Sequence, residues 1–334
     1  MVQNIFFRVD FSNKIGYGHL MRTIALAEEF SNRNIEPIFI SRDYPSSNFE
    51  IINKKSFSLI KIAPNNSIAK ETQKINQILN KQKYKAIIMD GYEFDYEYQR
   101  SIVANFLVAI GSNGDTEQYA DMVVNPNLWS DKKFVPGSVK KDSIYLSGPD
   151  YILLREDFRG DKIDIKSQCS DVLITLGGGK QNNFAYKIYD SLNDKSKKFY
   201  LAGRDFAEHK ENSFVNLEIV DDTYNLSSLM KKCDIAICGA GVTSLELMSL
   251  GVPFLYYIVA ENQINSARII EKYNAGINMG MLENFQGKKL KQKFLKLAEG
   301  VHLRKEMHEN QSKISAFNGS ERVVKHILER TGKL

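Results

Sequence analysis

The feature that most constrains this chain is a regular alternation of two kinds of segment. Short runs rich in β-branched and aromatic residues, such as NIFFRVD at 4–10 and YKAIIMD at 84–90, alternate with segments whose apolar residues recur at helical spacing. Strands that are joined by crossover helices form a parallel sheet. The alternation therefore predicts an α/β fold, and its strands end at Gly, Asp, Asn or Ser residues, where ligands bind in such sheets.

A break in this alternation divides the chain. Residues 127–170 begin as a polar, lysine-rich stretch, and a new strand–loop–helix series begins with DVLITLGGG at 171–179. We therefore predict two Rossmann-like, doubly wound lobes, an N-terminal domain over 1–158 and a C-terminal domain over 169–334. The last segment, ERVVKHILERTG, is amphipathic, and we expect it to pack back on the first lobe.

Composition narrows the class of protein. The 45 basic and 40 acidic residues leave a net charge of +5 without a basic tail or stripe, which argues against a nucleic-acid partner. No run approaches the roughly 18 consecutive apolar residues of a membrane span, and the N-terminal MVQNIFFRVD lacks the pattern of a signal peptide. Three cysteines without C-x-x-C spacing fit a reducing cytoplasm: Cys169, Cys233 and Cys238.

The most specific local signal is RVDFSNKIGYGHLMRTIALAEEF, residues 8–30. Gly16 and Gly18 allow the backbone to approach a ligand closely, and His19 begins the helix that follows. A helix N-terminus disfavours the imidazolium form, so the ring stays neutral and can act as a general base. Asp10, at the end of the first strand, could hold the other ring nitrogen or bind a sugar hydroxyl. The alternative is an ordinary loop, because G-x-G-H lacks the third glycine of a dinucleotide-binding fingerprint.

A second signal lies in DIAICGAGVTSLELMSLGVPFLYYIVAENQ, residues 234–263. Gly241 ends the strand, and Thr243 and Ser244 stand at a helix N-terminus, which is a ready-made phosphate site. Glu246, interpreted as a residue of the first helical turn, could accept both hydroxyls of a ribose. The alternative is that Ser and Thr are ordinary caps and the glutamate favours the helix dipole.

Other strand ends add further candidates. The loop LGGGKQNN at 176–183 could wrap a diphosphate through Gly178 and Gly179, although it lacks the other residues of a P-loop, and a flexible turn is the alternative.

Three more side chains follow strands. Tyr92 comes after Asp90 in MDGYEFD and could bind the reacting sugar or the attacking water. Asn262 and Gln263 follow the strand VPFLYYIVA and are predicted to face the same cleft.

Taken together, these motifs resemble a known family over roughly residues 5–280. The order GYGH, DGY, GPDYILLR, LGGG, GAGVTSLE and ENQ is similar to the UDP-2,4-diacetamido-2,4,6-trideoxy-β-L-altropyranose hydrolases of pseudaminic acid biosynthesis and to the related spore-coat polysaccharide proteins. Many members have D-H-Y where this chain has Asp90-Gly91-Tyr92, and G-G-x-D where it has Gly178-Gly179-Lys180-Gln181-Asn182. The sequence therefore leaves the exact sugar open.

The resemblance implies a GT-B fold of the MurG type, with the ligand in an interdomain cleft. It also implies metal-independent hydrolysis of a UDP-sugar without a cofactor, in which His19 activates water and Tyr92 and Asn262 contact the reacting group. The uridine and phosphate contacts would fall on Gly241, Thr243, Ser244 and Glu246.

Two other functions stay open at this stage. A GT-B glycosyltransferase would use the same base and the same donor pocket, with an acceptor hydroxyl in place of water. A non-catalytic protein that binds nucleotide sugars would need the pocket alone.

Overall fold

The structure is a computed structural model of the chain. It describes residues 3–12, 15–44, 49–64, 67–111, 117–130, 140, 142–177, 182–203, 216–220, 226–315 and 317–332. The chain folds into two compact units: residues 1–156 with 317–334 form the first unit, and residues 157–316 form the second.

The first unit contains a seven-stranded parallel sheet. Its strands are β1 (Gln3–Val9), β2 (Ile35–Arg42), β3 (Ser58–Ile62), β4 (Tyr84–Asp90), β5 (Leu107–Ile110), β6 (Met122–Asn125) and β7 (Ile144–Ser147). They lie in the order β3-β2-β1-β4-β5-β6-β7. The order reverses between β1 and β4, and this reversal is the topological switch point of a doubly wound sheet.

The helices of the first unit follow these strands. They are α1 (Gly18–Ser31), α2 (Glu50–Lys54), α3 (Ile68–Leu79), α4 (Tyr96–Arg100) and α11 (Gly319–Thr331). Two of them begin at side-chain caps, because Ser67 accepts a hydrogen bond from the Lys70 amide and Asp95 accepts one from the Tyr98 amide.

The second unit repeats the architecture with a six-stranded parallel sheet in the order β10-β9-β8-β11-β12-β13. Its strands are β8 (Asp171–Thr175), β9 (Lys198–Ala202), β10 (Leu217–Val220), β11 (Ile235–Gly239), β12 (Phe254–Ile258) and β13 (Ile277–Met281). Its helices are α5 (Asn182–Leu192), α6 (Leu226–Lys232), α7 (Val242–Leu250), α8 (Ile264–Lys272), α9 (Gly287–Glu299) and α10 (Val301–Ser312). The switch point here lies between β8 and β11.

Central and edge strands differ in how far they are buried. The last five residues of β1 are all buried, as expected for a central parallel strand that is covered on both faces. In the edge strand β3, only Ile62 is buried. This difference explains why the apolar pattern identifies the central strands more easily than the edges.

The last helix belongs to the first unit. α11 packs against α1, against β4 and against a short 3-10 helix at Pro149–Tyr151. Val323, Val324 and Ile327 are fully buried in this packing. No helix within the described residues has the length and apolar character needed to cross a membrane.

Candidate functional site

Gly16, between β1 and α1, and Gly18, the first residue of α1, lie where the sequence predicts a close approach of the backbone to a ligand. Gly16 has a φ of +87°, which side chains other than glycine rarely adopt, and its amide donates to the Ser12 carbonyl at 2.8 Å. A Cβ added at Gly16 or at Gly18 would meet nothing within 4 Å. Among the described residues, none packs against the position of a side chain at either glycine.

His19 is the second residue of α1, and its side chain contacts Asp90. The residue is only 6% exposed, and Nδ1 lies 2.5 Å from Asp90 Oδ1. Asp90 is the last residue of β4 and pairs with Val9 of β1, so both residues of the contact stand at the switch point of the sheet.

Arg22, one helical turn after His19, also binds Asp90. Its Nε donates to Oδ2 at 2.9 Å and its Nη2 donates to Oδ1 at 2.7 Å, which makes a bidentate ion pair. Burial by itself raises the pKa of Asp90, but the electrostatic attraction of Arg22 and His19 and the hydrogen bonds from both outweigh it and hold that pKa below its usual value. Asp90 is therefore an ionised carboxylate inside the protein.

The ionised carboxylate decides which nitrogen of His19 carries the proton. Because a carboxylate can only accept hydrogen bonds, the 2.5 Å contact requires a proton on Nδ1. Arg22 Nη2 lies 2.8 Å from the same nitrogen, and we assign it as a second donor to the shared oxygen, since its own bond to Asp90 is 2.7 Å long. In the neutral ring with its proton on Nδ1, the electron pair lies on Nε2, as a general base requires.

The Tyr92 ring packs at a right angle against the imidazole ring of His19. The two rings stand at 89° with their centroids 4.7 Å apart, and Tyr92 is 63% exposed. An exposed aromatic side chain beside a buried base offers a surface on which a ring-shaped substrate can rest.

Of the two roles suggested for Asp10, the structure gives the first, holding the histidine ring, to Asp90, while the second, binding a sugar hydroxyl, stays a prediction. Asp10 accepts hydrogen bonds from Arg8 at 2.6 and 2.8 Å and from the Arg42 amide at 2.8 Å. Both of its oxygens are thus used by the arginines of β1 and β2, and Asp90 is the carboxylate that binds His19.

These arginines form a buried ionic cluster with the helix α3. Glu71 accepts from Arg8 Nη2 at 2.7 Å and from Arg42 Nε at 2.7 Å, and Tyr98 donates to it at 2.5 Å. Arg42 also pairs with Glu93. Since Glu93 follows Tyr92 in the chain, the cluster is connected to the loop that carries this tyrosine.

In the second unit, α7 begins directly after Gly241, at the switch point of its sheet. Ser244 is fully buried and its hydroxyl donates to the Gly241 carbonyl at 2.7 Å, so this side chain is engaged within the first turn. Thr243 is partly exposed. Glu246 is the fifth residue of α7 and 6% exposed, which places it in the second helical turn and corrects the expectation of a first-turn position.

Gln263 and Asn262 belong to a 3-10 helix, Glu261–Gln263, that follows β12. The Gln263 side chain accepts from the Val259 amide at 2.9 Å, and a Cβ on Gly241 would stand 3.0 Å from its Nε2. A larger residue at 241 would therefore press on this amide, while Asn262 is exposed.

Two glycines of the predicted diphosphate loop, Gly178 and Gly179, lie outside the described residues. The candidates of the first unit lie at the carboxyl ends of its strands, and those of the second unit lie at the carboxyl ends of the strands of the second sheet.

Sequence reasoning noted Asp90 without giving it a role, and it missed Arg22. A signal for both exists: Arg22 stands three residues after His19, a spacing that puts both on one helix face. Asp90 is the last residue of β4, the strand that lies next to β1 at the switch point.

Comparison with known proteins relates the chain to enzymes of sugar transfer. Residues 171–325 match the family model described as the glycosyltransferase family 28 C-terminal domain. The chain is 24% identical over 317 residues to the spore coat polysaccharide biosynthesis protein SpsG of Bacillus subtilis, and the match covers 88% of each protein. It is 23% identical over 281 residues to the UDP-2,4-diacetamido-2,4,6-trideoxy-β-L-altropyranose hydrolase of Campylobacter jejuni, covering 80% of this chain and 96% of that protein.

An uncharacterized protein of Methanocaldococcus jannaschii is 27% identical over 277 residues, or 76% of this chain. The chain spans only 55% of that relative's length. Among solved structures, MurG of Acinetobacter baumannii superposes with a TM-score of 0.66 at 14% identity, covering 98% of this chain and 99% of MurG. The prediction of two Rossmann-like lobes of GT-B type is confirmed, and the relatives connect the chain with GT-B proteins that handle nucleotide sugars.

Proposed function

We propose that this relative of SpsG hydrolyses a UDP-sugar, UDP-2,4-diacetamido-2,4,6-trideoxy-β-L-altropyranose or a close relative of it, to UDP and the free sugar. The observation that carries the proposal is His19, a buried imidazole whose Nδ1 lies 2.5 Å from the Asp90 carboxylate, which leaves Nε2 as the basic atom of the neutral ring. A base held in this way is suited to take a proton from water. The product sugar would serve nonulosonic (pseudaminic) acid biosynthesis in the cytoplasm, and the three buried free cysteines fit that compartment.

The proposed step balances as follows. His19 Nε2 takes one proton from a water molecule as its oxygen attacks the anomeric carbon, and the bond between that carbon and the phosphate oxygen breaks. The electron pair of this bond leaves with UDP, and the imidazolium is stabilised by Asp90. The sugar inverts at the anomeric carbon, because water enters opposite the leaving diphosphate.

We assign the binding of UDP to the second unit. The start of α7 at Gly241 presents backbone N–H groups and the positive end of the helix dipole, which stabilise negative charge on a leaving diphosphate. Because Ser244 is buried and engaged, the backbone and the Thr243 hydroxyl are the donors that we assign to the phosphates. Glu246 and Gln263 complete the proposed pocket, while Gly16 and Gly18 admit the sugar beside His19.

Tyr92 and Asn262 are assigned to the reacting sugar. Tyr92 is exposed beside the base, and Asn262 is exposed in the 3-10 helix after β12. The proposal uses no metal ion and no cofactor, since His19 supplies the base and α7 supplies the positive potential.

A glycosyltransferase is the second candidate function. It is favoured by the match of residues 171–325 to a glycosyltransferase domain and by the MurG fold. In such an enzyme, His19 would take the proton from an acceptor hydroxyl instead of from water.

Hydrolysis in H₂¹⁸O distinguishes these functions. We expect wild-type protein without any acceptor to release UDP from the named UDP-sugar, and ¹⁸O to appear in the sugar and not in UDP. UDP binding without release would favour the transferase or a different sugar. Binding of the intact UDP-sugar with no turnover under any acceptor would favour the non-catalytic binding protein.

The role of His19 is tested by its replacement. We expect His19→Ala to lower kcat for UDP release by about 10²–10⁴-fold, as the loss of a general base does, with UDP affinity unchanged in titration calorimetry. His326→Ala is the matched control, because this histidine lies on α11 and is 41% exposed. Equal activities of the two variants would remove His19 from the mechanism.

A further inference from the structure

The charges around Asp90 are balanced by one residue. Asp90 is fully buried, and the permanently charged cation among its described partners is Arg22, which binds both carboxylate oxygens. Arg22, Asp90 and a neutral His19 together carry no net charge. The side chain of Arg22 is itself only 15% exposed, so the pair is shielded from water.

We infer that Arg22 is a positioning residue that keeps His19 ready to act as a base: its guanidinium neutralises Asp90, so that the imidazole carries a single proton on Nδ1. This inference rests on the proposed function only for its kinetic consequence. The arrangement of charge and proton is a property of the protein without substrate.

The argument follows from the cost of an isolated buried charge. Without the Arg22 cation, the Asp90 carboxylate would be buried with an uncharged partner, which is strongly unfavourable. The Asp90–His19 pair then gains stability by taking up one proton, and the product is an imidazolium beside a carboxylate. An imidazolium has no electron pair on Nε2 and cannot accept a proton from water.

No other described group can replace the cation. The charged or titratable side chains that face His19 are Asp90 from β4, Tyr92 from the loop after β4, and Arg22 from its own helix. Arg8, the nearest arginine along β1, is fully buried and bound to Asp10, Glu71 and Tyr98.

The geometry also orients the ring. The two bonds from Arg22 fix the plane of the carboxylate, and Oδ1 then receives both the Arg22 Nη2 proton and the His19 Nδ1 proton. A lysine at position 22 would keep the charge but would lose this bidentate fit.

The proton arrangement is measured by ¹⁵N NMR of histidine-labelled protein at pH 7 without substrate, with the His19 signals assigned by their loss in His19→Gln. We expect a neutral ring protonated on Nδ1 in the wild type and in Arg22→Lys, and a doubly protonated ring in Arg22→Gln. Arg33→Gln is the matched control, since Arg33 follows the same helix and pairs with Glu29. Circular dichroism verifies that each variant is folded.

A folded Arg22→Gln protein with a neutral His19 ring would overturn the inference. If that variant does not fold, Arg22→Lys decides: an imidazolium in this charge-conserving variant contradicts the inference, and a neutral ring supports it.

Kinetics provide the second readout. At pH 7 we expect Arg22→Gln to lower kcat for UDP release on the order of 10²-fold with little change in KM, and activity to recover as the pH is raised. A purely structural role would lower activity equally at every pH. If the wild type releases no UDP, the proposed function fails while the NMR result still decides the role of Arg22.

Discussion

Asp90 combines two properties that rarely occur together in one side chain. It is fully buried, yet it is ionised, because a bidentate arginine and a histidine proton satisfy its oxygens. Its pKa is raised by burial and lowered more strongly by Arg22 and His19, so it ends below the usual value of 3.8. The folded state therefore binds this proton more weakly than the unfolded state does.

This difference predicts how stability depends on pH. Above the unfolded pKa of about 3.9, the stabilisation from Asp90 is fully present, and it is lost as the pH falls through the lower folded pKa. Urea unfolding between pH 7 and pH 3 is expected to show a smaller loss of unfolding free energy in Asp90→Asn than in the wild type.

Asp43→Asn serves as the control for this experiment. Asp43 is 48% exposed and contacts Lys61 at 3.4 Å, so its replacement is expected to leave the pH dependence close to that of the wild type. Identical pH dependence in Asp90→Asn and the wild type would contradict the assignment of Asp90 as a charged, buried group.

Sequence located His19 at the start of α1 and did not identify the carboxylate that contacts it. His19 was predicted from the glycine loop and the helix start, and the structure places it there. Asp10, the nearer residue in the chain, was suggested either to hold the ring or to bind a sugar hydroxyl. The choice between Asp10 and Asp90 depends on where Arg8, Arg22 and other arginines point, which no local pattern specifies.

Among the elements, α3 is held to the sheet by charge as well as by apolar packing. Its Glu71 is 3% exposed and binds Arg8 of β1 and Arg42 of β2. Burial raises the pKa of Glu71, while Arg42 and Arg8 lower it below the usual value. One carboxylate thus connects a helix with two adjacent strands.

Removal of that charge is expected to weaken the first unit. We expect Glu71→Gln to lower the free energy of unfolding by about 3–5 kcal/mol, since it leaves two buried guanidinium groups without their shared partner. The control is Glu36→Gln, because Glu36 is exposed on β2 and accepts only from Ser58, so a change within about 0.5 kcal/mol is expected. Urea unfolding measures both, and equal small losses would show that the cluster contributes little.

Sequence reasoning identified the central elements and overlooked three edge strands. Most residues of β1, β4, β8 and β11 are buried, so these strands contain mostly apolar residues. Three edge strands, β3, β7 and β13, were not distinguished from the sequence. Each is short and contains a polar residue, which is Lys61 in β3, Ser147 in β7 and Asn278 in β13. An edge strand has one hydrogen-bonding side without a neighbour and tolerates such residues.

At the scale of the whole molecule, the alternation of strands and helices was enough to predict two Rossmann-like lobes. The two units have separate sheets and separate apolar cores. The first unit is discontinuous, since α11 returns to it after the second unit is complete. The amphipathic character of α11 was visible in the sequence, whereas the residues against which it packs were not.

The division into two units predicts which part of the chain a destabilising mutation affects. We expect Val324→Asp to cost about 3 kcal/mol or more, because it buries an unpaired carboxylate between α11 and the first unit. Hydrogen exchange measured by mass spectrometry should then rise throughout residues 1–156 and stay unchanged in 157–315.

Lys325→Asp is the matched substitution on the same helix, and its exposed position predicts unchanged exchange. An equal rise in both units in Val324→Asp would mean that they unfold as one.

Because the first unit is discontinuous in the chain, the two units are completed in a fixed order during translation. Residues 157–316 leave the ribosome before 317–332, so the second unit has its complete sequence earlier than the first. At a synthesis rate of about 5–20 residues per second, the partner surface of α11 on α1 waits many seconds for its last helix. The first unit is thus completed after the second, and the face of α1 that α11 covers is a site where a nascent-chain chaperone has time to bind.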